Sequence, residues 1–423
     1  MYLRRKLFAL IIALFTLLPL FSGCSGEDPN APRKTELLVY VTPEGLCALS
    51  GEETVLLAKG KYIHSPHISP DGRYVYYNNS SDIFVVPISA GATPTLAAAD
   101  AEFSGFCGDR LLSCSASGGV RAYDPETGVS ESMFADREEG FVSSVVLSPD
   151  EKKLAVCVRQ IDVGIDRPRG IYIRYNDTAD MDVFTSENIC TDPTLLTEPL
   201  CWLTDGGAIV FSCGKAGELR TKLWLLPVVE GASSPLGPGS MEFRADSGIA
   251  LSADGKTAAF LTYKSSEDLV ETVCILDLTR GKCAYVPSGT SGVSGTALSP
   301  DGELVAYTSS GAASGLYVYG NDTTICVSGG DGKNQYAAPV FTDNGQNLLF
   351  VGWGDRLLAE TDSEGNAVGT YTETVASVWR ASPNSAGSTR LADGLKFPDG
   401  VYTNSWSDMF DHYQYVPVET EGE

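Results

Sequence analysis

The sequence predicts an all-β protein, a β-propeller of four-stranded blades. Three observations carry that prediction. A turn motif recurs along the chain, the strand after each turn is apolar on both faces, and a third strand follows at a similar place in nearly every unit.

The motif stands at residues 67–77 (HISPDGRYVYY), 146–156 (VLSPDEKKLAV), 250–260 (ALSADGKTAAF), 297–307 (ALSPDGELVAY) and 340–350 (VFTDNGQNLLF). Degenerate copies stand at 202–211 (WLTDGGAIVF) and 106–113 (FCGDRLLS). The marker residues Asp71, Asp109, Asp150, Asp205, Asp254, Asp301 and Asp343 are spaced by 38, 41, 55, 49, 47 and 42 residues, a blade-length period. Pro and Gly flank the Asp where two antiparallel strands reverse; its carboxylate caps turn N–H groups and Gly takes positive φ. On this reading Asp71, Asp150, Asp254 and Asp301 are structural.

The strand after the turn, as in residues 304–307 (LVAY), has no wet face. A half-exposed sheet would alternate, so each sheet is sandwiched between neighbours, as blades are. Third strands are expected at 83–86, 171–174, 223–226, 274–277 and 316–319, and turns at 124–128 and 277–281 lead to outer strands. Residues 36–41, 46–49 and 54–57 read as three strands of a blade lacking its first. Residues 376–380 (ASVWR) are expected to supply that strand from the other end, hiding the sheet edges. Seven whole units and one split unit make eight blades; the count is seven if the N-terminal strands pack elsewhere.

At these Ser-Pro-Asp-Gly residues the chain resembles the WD40-like repeats of TolB-type propellers, which also occur beside peptidase domains of the dipeptidyl-peptidase IV class. The resemblance covers about residues 36–371. It implies the fold and, as for TolB-like proteins generally, an interaction role in the cell envelope.

The N-terminus is of a different character. Arg4, Arg5 and Lys6 precede the apolar run 7–21, and Ser22, Gly23 and Cys24 follow, matching a secretory signal. The run is shorter than the roughly 20 residues of a membrane span. The ending FSGC resembles the lipobox of bacterial lipoproteins, with Phe21 where Leu is usual. The resemblance implies diacylglyceryl transfer to Cys24 and a membrane anchor on the extracytoplasmic face. The expected organisation is a signal peptide at 1–23, lipidated Cys24 and tether at 24–34, propeller at 35–381, and a tail at 382–423 packing on the propeller.

Removing residues 1–23 takes the net charge from −24 to −27. So acidic a body repels nucleic acid and anionic head groups, leaving a protein, a peptide or an envelope glycan as partner classes. Ten cysteines remain after Cys24. None forms a CxxC pair, so zinc and thioredoxin-like chemistry lack support. Cys107/Cys114, Cys201/Cys213 and Cys274/Cys283 flank turns and are within reach of bridging once exported. Their apolar strand settings favour buried thiols.

Catalytic motifs are scarce. There is no Gly-x-Ser-x-Gly elbow, P-loop, dinucleotide fingerprint or EF-hand loop, so no cofactor and no catalytic residue are assigned. The three histidines are His64, His67 and His412. His64 and His67 enter the first complete blade at its rim and are candidate ligand-binding residues; no metal is assigned to them. Residues 158–170 form a long loop between second and third strands that concentrates Arg159, Arg167 and Arg169, a candidate site for carboxylates or phosphates unless Asp162 and Asp166 neutralise it. Tyr62, Phe103, Phe141, Phe243 and Tyr336 stand near blade junctions, as a stacking platform or as packing. The function read from the sequence is a membrane-anchored binding or scaffold module, not an enzyme. The alternative is an envelope lyase or glycosidase acting on polysaccharide.

Overall fold

The computed structural model describes residues 34–419, apart from 52, 116–118, 136–140, 163–164, 177, 179, 185–195, 216–217, 219, 230–232, 240, 245–247, 264–270, 288–292, 331–332, 343–344, 362–365 and 396–412. The signal, Cys24, the tether to residue 33, and His412 lie outside the described residues. Glu36–Pro417 form one compact unit and Met1–Thr35 with Val418–Glu423 another; the ring described below belongs to the first.

The described strands form antiparallel sheets that resolve into eight blades. Blade 1 comprises Lys34–Thr42, Gly45–Ser50 and Glu53–Lys59. Blades 2, 3 and 4 run from Ile63–Ile68 to Thr95–Ala98, from Ala101–Cys107 to Ser130–Phe134, and from Phe141–Leu147 to Met181–Phe184. Blades 5 and 6 (Leu196–Trp202 to Ser234–Pro235, and Glu242–Arg244 to Lys282–Tyr285) join in one nine-stranded sheet, because Arg220 and Thr221 pair with Arg244 and Phe243. Blade 7 runs from Val293–Leu298 to Thr323–Gly329 and blade 8 from Gln335–Thr342 to Ser388–Leu395. The expected third strands all take third place in their blades.

The fourth strand of blade 1 corrects the expectation. Residues 376–380 lie inside Ala367–Ala381, the third strand of blade 8. Tyr413–Glu419 pairs beside Lys34–Thr42 instead, in the order fixed by the other three strands. The reason is local: blade 8 has unusually long second and third strands, so residues 376–380 are consumed within it. The expected tail, 382–423, therefore contributes two strands, Ser388–Leu395 to blade 8 and Tyr413–Glu419 to blade 1.

Strands apolar on both faces serve two interfaces each. In Thr257–Tyr263, Ala258 and Phe260 pack against Val210 and Leu223 of blade 5. The intervening Ala259 and Leu261 pack against Val293, Val305 and Tyr307 of blade 7. Similar clusters join blades 2 to 3, 3 to 4, 4 to 5 and 7 to 8. The ring closes where Leu38, Tyr40 and Cys47 of blade 1 pack on Val351, Trp353, Ala376 and Val378 of blade 8. Burying alternate residues against successive neighbours gains about 25 cal/mol per Å² of apolar surface at every junction.

Turns between first and second strands occupy one face of the ring. There, Ser69, Ser148, Ser252 and Ser299 are buried, and their Oγ atoms donate to Asp71, Asp150, Asp254 and Asp301 at 2.6, 2.7, 2.8 and 2.5 Å. The same Asp Oδ1 accepts the amide of Arg73, Lys152, Lys256 or Glu303, and the same Ser Oγ accepts that of Tyr74, Lys153, Thr257 or Leu304. Successive turns also touch. Thr204 Oγ1 donates to Asp254 O at 2.9 Å, and Lys153 Nζ to Gly206 O at 2.9 Å. Gly255, at φ +61°, packs so close to Thr204 that a Cβ would lie 2.4 Å from its Cγ2, so only glycine fits.

Candidate binding face

Turns between second and third strands, and the connections between blades, lie at the opposite face. Residues 158–170 belong to it, and here the structure corrects a second expectation. They form a β-hairpin, Lys153–Asp162 with Ile165–Tyr175, rather than a loop. Its register sets Arg159 opposite Pro168 and Arg167 opposite Gln160, with an irregularity between Val158 and Arg159. Arg159 is largely buried, and its Nη2 reaches Glu198 Oε2 of blade 5 at 3.3 Å. The side chains of Arg167, Arg169, Asp162 and Asp166 lie outside the described residues. Glu198, which no sequence motif singles out, is thus a carboxylate partner of Arg159.

Ion pairs of the same kind continue around this face. Arg220 Nη1 meets Glu242 at 3.3 Å, joining blades 5 and 6, and its guanidinium lies 3.8 Å over the Tyr263 ring. Tyr263 donates its hydroxyl to Glu271 at 2.8 Å, and Glu271 also takes Arg244 at 2.9 Å. Partial burial, then the Glu271 carboxylate, pushes the Tyr263 hydroxyl up to about 12. The set fastens neighbouring blades where strand pairing ends.

His64 and His67 flank an irregularity in the first strand of blade 2, where Ser65 takes φ +48°. They take separate partners. His64 contacts Ser65 Oγ at 3.0 Å and the Ser80 carbonyl at 3.2 Å. His67 stacks flat on Phe103 of blade 3, with centroids 3.5 Å apart and 8° between planes. Burial holds its imidazole down at about 4, so it is neutral near pH 7. Of the remaining aromatics, Phe243 and Tyr336 are buried packing residues, Phe141 is half-buried, and Tyr62 is exposed.

The most exposed element of this face is one that sequence reasoning missed. The second and third strands of blade 8, Asn347–Thr361 and Ala367–Ala381, have fifteen residues each. Their register runs unbroken from Leu348↔Ala381 to Glu360↔Gly369. The inner halves, including Leu348, Phe350, Val351 and Val378, are fully buried in the ring. Beyond Asp355 and Thr374 the pair becomes a two-stranded ribbon whose described side chains are nearly all exposed. Leu357 is 71% exposed, Val368 61% and Tyr371 46%. By register Leu357, Ala359, Thr370 and Thr372 share one face, and Glu360, Tyr371 and Glu373 the other.

The ribbon is anchored at its root. Arg356 Nη1 donates to both Asp393 oxygens at 2.9 and 2.8 Å, and its Nη2 to Ser377 Oγ at 2.9 Å. Ser377 Oγ donates to Asp393 at 2.5 Å and Arg390 adds a contact at 2.9 Å. Burial opposes the Asp393 charge, but Ser377, Arg356 and Arg390 outweigh it and lower its carboxyl below the ordinary range. Gly354 stands where the strand leaves the ring; a Cβ there would lie 2.1 Å from Asn334 Oδ1. The signal that was available is the β-branched alternation Thr370, Thr372, Thr374 and the long interval between the strands at 347–351 and 376–381.

Two depressions lie at the opposite, turn-bearing face. One of about 510 Å³ is bordered by Lys256, Asp277, Arg280, Lys282 and Cys283. The other, of about 350 Å³, is bordered by Arg73, Arg110, Glu126 and Glu151. Among the described residues no three His, Cys, Asp or Glu side chains come together as a metal-binding group, and no disulfide is formed.

No protein-family model matches the chain, and no curated protein does. Among solved structures it is similar to oligogalacturonate lyase in complex with manganese, at 12% identity over 83% of this chain and 98% of that one, with a TM-score of 0.53. It is also similar to oligogalacturonate lyase from Vibrio parahaemolyticus, at 12% identity over 76% and 95% of the two chains, with a TM-score of 0.51. TolB from Acinetobacter baumannii shares 19% identity over 70% of this chain and 65% of that one, with a TM-score of 0.38. The likeness at these identities is one of fold. The chain is a β-propeller, the fold that its repeats implied.

Proposed function

We propose that this protein is an extracytoplasmic lipoprotein, held to a membrane through Cys24, whose propeller is a binding module for a protein or peptide of the cell envelope. The observation that carries the reading is the blade 8 ribbon. A two-stranded hairpin gains little stability by itself, and exposed Leu357, Val368 and Tyr371 cost solubility without serving the core. Such an element suits a partner that covers it, either over the Leu357–Thr372 face or by adding a strand to a ribbon edge. The net charge of −27 left after residues 1–23 are removed favours a partner with basic groups.

The test compares wild type with a variant in which residues 356–373 are replaced by an Asn-Gly turn, and with an Arg159/Arg167/Arg169→Ala variant. All are crosslinked in the native envelope. The expected result is a protein partner captured by wild type and lost on ribbon removal, with Cys24→Ala releasing the chain from membranes. Capture unaffected by ribbon removal, or membrane retention of Cys24→Ala, contradicts the corresponding part. The competing reading is an enzyme acting on an acidic polysaccharide, a substrate class borrowed from the two lyases of like fold. Turnover of oligogalacturonate by the purified chain would favour it.

A further inference from the structure

We propose that Met241, Cys274 and Cys283 form a binding site for copper(I). The three sulfurs meet at the junction of blades 5 and 6. Cys283 Sγ lies 3.5 Å and Cys274 Sγ 3.9 Å from Met241 Sδ. The cysteines stand on adjacent antiparallel strands, with Cys274 opposite Tyr285 and Leu276 opposite Cys283, so both sulfurs share one face of the sheet on a diagonal. Of the three turn-flanking cysteine pairs, this is the one whose register brings its members to neighbouring positions. Cys201 faces Val210 and Cys213 faces Thr197, whereas Cys107 faces Arg110 and Cys114 faces Glu102.

The geometry fits an ion with three sulfur ligands. Bonds of about 2.3 Å to a shared ion in a trigonal plane place the sulfurs about 4 Å apart. The observed 3.9 Å edge already meets that separation, and the 3.5 Å edge needs only a small expansion. Two thiolates and a thioether are soft donors that select copper(I) over harder divalent ions. Loading forms three metal–sulfur bonds and releases the two thiol protons, with no change of oxidation state.

The donors are held in place before metal arrives. Met241 and Cys274 are at most 1% exposed, among Leu223, Phe243, Phe260 and Leu276. The loop bearing Met241 is tied down by Lys222 Nζ, which donates to the carbonyls of Gly239 and Met241 at 2.9 and 2.8 Å. Gly237, at φ +82°, lets that loop lie close, since a Cβ there would come 2.8 Å from Met241 Cε. Cys283 is half-buried and borders the 510 Å³ depression, which gives a path from solvent.

The test titrates the reduced full-length chain with copper(I), without oxygen, against bicinchoninate. One copper per chain is expected, with X-ray absorption showing three sulfurs at about 2.3 Å. Cys274→Ser or Cys283→Ser should weaken binding about a hundredfold, and Met241→Leu, which conserves volume, about tenfold. Cys201→Ser should leave binding unchanged, and thermal unfolding of Cys283→Ser and Met241→Leu checks that the fold is kept. Equal copper(I) affinity in Cys283→Ser and wild type, or a sulfur shell unaltered by Met241→Leu, overturns the proposal.

Discussion

The buried serine of each turn does more than fill space. Ser252 and Ser299 accept an amide proton and donate to an aspartate that accepts a second amide, so one side chain settles three polar groups. Ser299→Ala leaves the Leu304 amide and the Asp301 carboxylate short of a partner. The expected loss is about 1–3 kcal/mol, read from urea unfolding. The Ser299 hydroxyl, then the Glu303 amide, lowers the Asp301 carboxyl, and Lys256 helps hold Asp254 at about 2. Their stabilisation is complete above the unfolded carboxylate value and is lost as pH falls through the lowered one. His67 acts at a higher pH. Its folded value of about 4 lies below the unfolded 6.5, so the unfolded chain takes up the proton first and stability falls as pH drops across that window. The loss has an upper bound of about 3 kcal/mol. His67→Phe keeps a ring on Phe103 and should flatten thermal stability between pH 6.5 and 4; an unchanged slope would reject this role. The serine–aspartate turns were legible in the sequence because each is complete within six residues. The His67–Phe103 stack was not, because it joins two blades through residues 36 positions apart.

At the scale of strands and hairpins, alternation of apolar residues placed the blades but not their lengths. Third strands were readable since each opens a new apolar run after the turn strand, whatever the length between them. The ribbon was not, because the turn residues at 362–366 (DSEGN) read as an ordinary connection, and no proline in 352–375 marks where the ring ends and the projection begins. That same extension displaced the expected partner of the first blade, turning residues 376–380 from a closing strand into an internal one. The Arg-bearing connection was read as a loop for a related reason: Pro168 and Gly170 suggest a break, yet both pair within the hairpin. If the ribbon is a projection and not part of the core, its replacement by a tight turn should change the unfolding midpoint by no more than a few degrees. A collapse of stability in differential scanning calorimetry would show that it supports blade 8.

Across the whole molecule, the blades are joined by apolar clusters, and the first and last described strands pair in blade 1. Closure by Tyr413–Glu419 removes the sheet edge that Lys34–Thr42 would otherwise present. It also seats blade 1 against blade 8, through Leu38 and Tyr40 on Val351 and Trp353. Period and composition made the ring legible. Which segment closes it was not, since short alternating strands look alike in sequence and pairing is decided by distance around the ring. A closed ring gives the ribbon, the ion-pair belt and the sulfur cluster one rigid frame, so closure is the claim on which the others depend. Hydrogen–deuterium exchange tests it most directly, comparing the full chain with one ending at residue 411. The expected result is slow exchange at 34–42 in the full chain, and fast exchange there and in blade 8 once the closing strand is removed. Equal protection of 34–42 in both chains would contradict closure by Tyr413–Glu419.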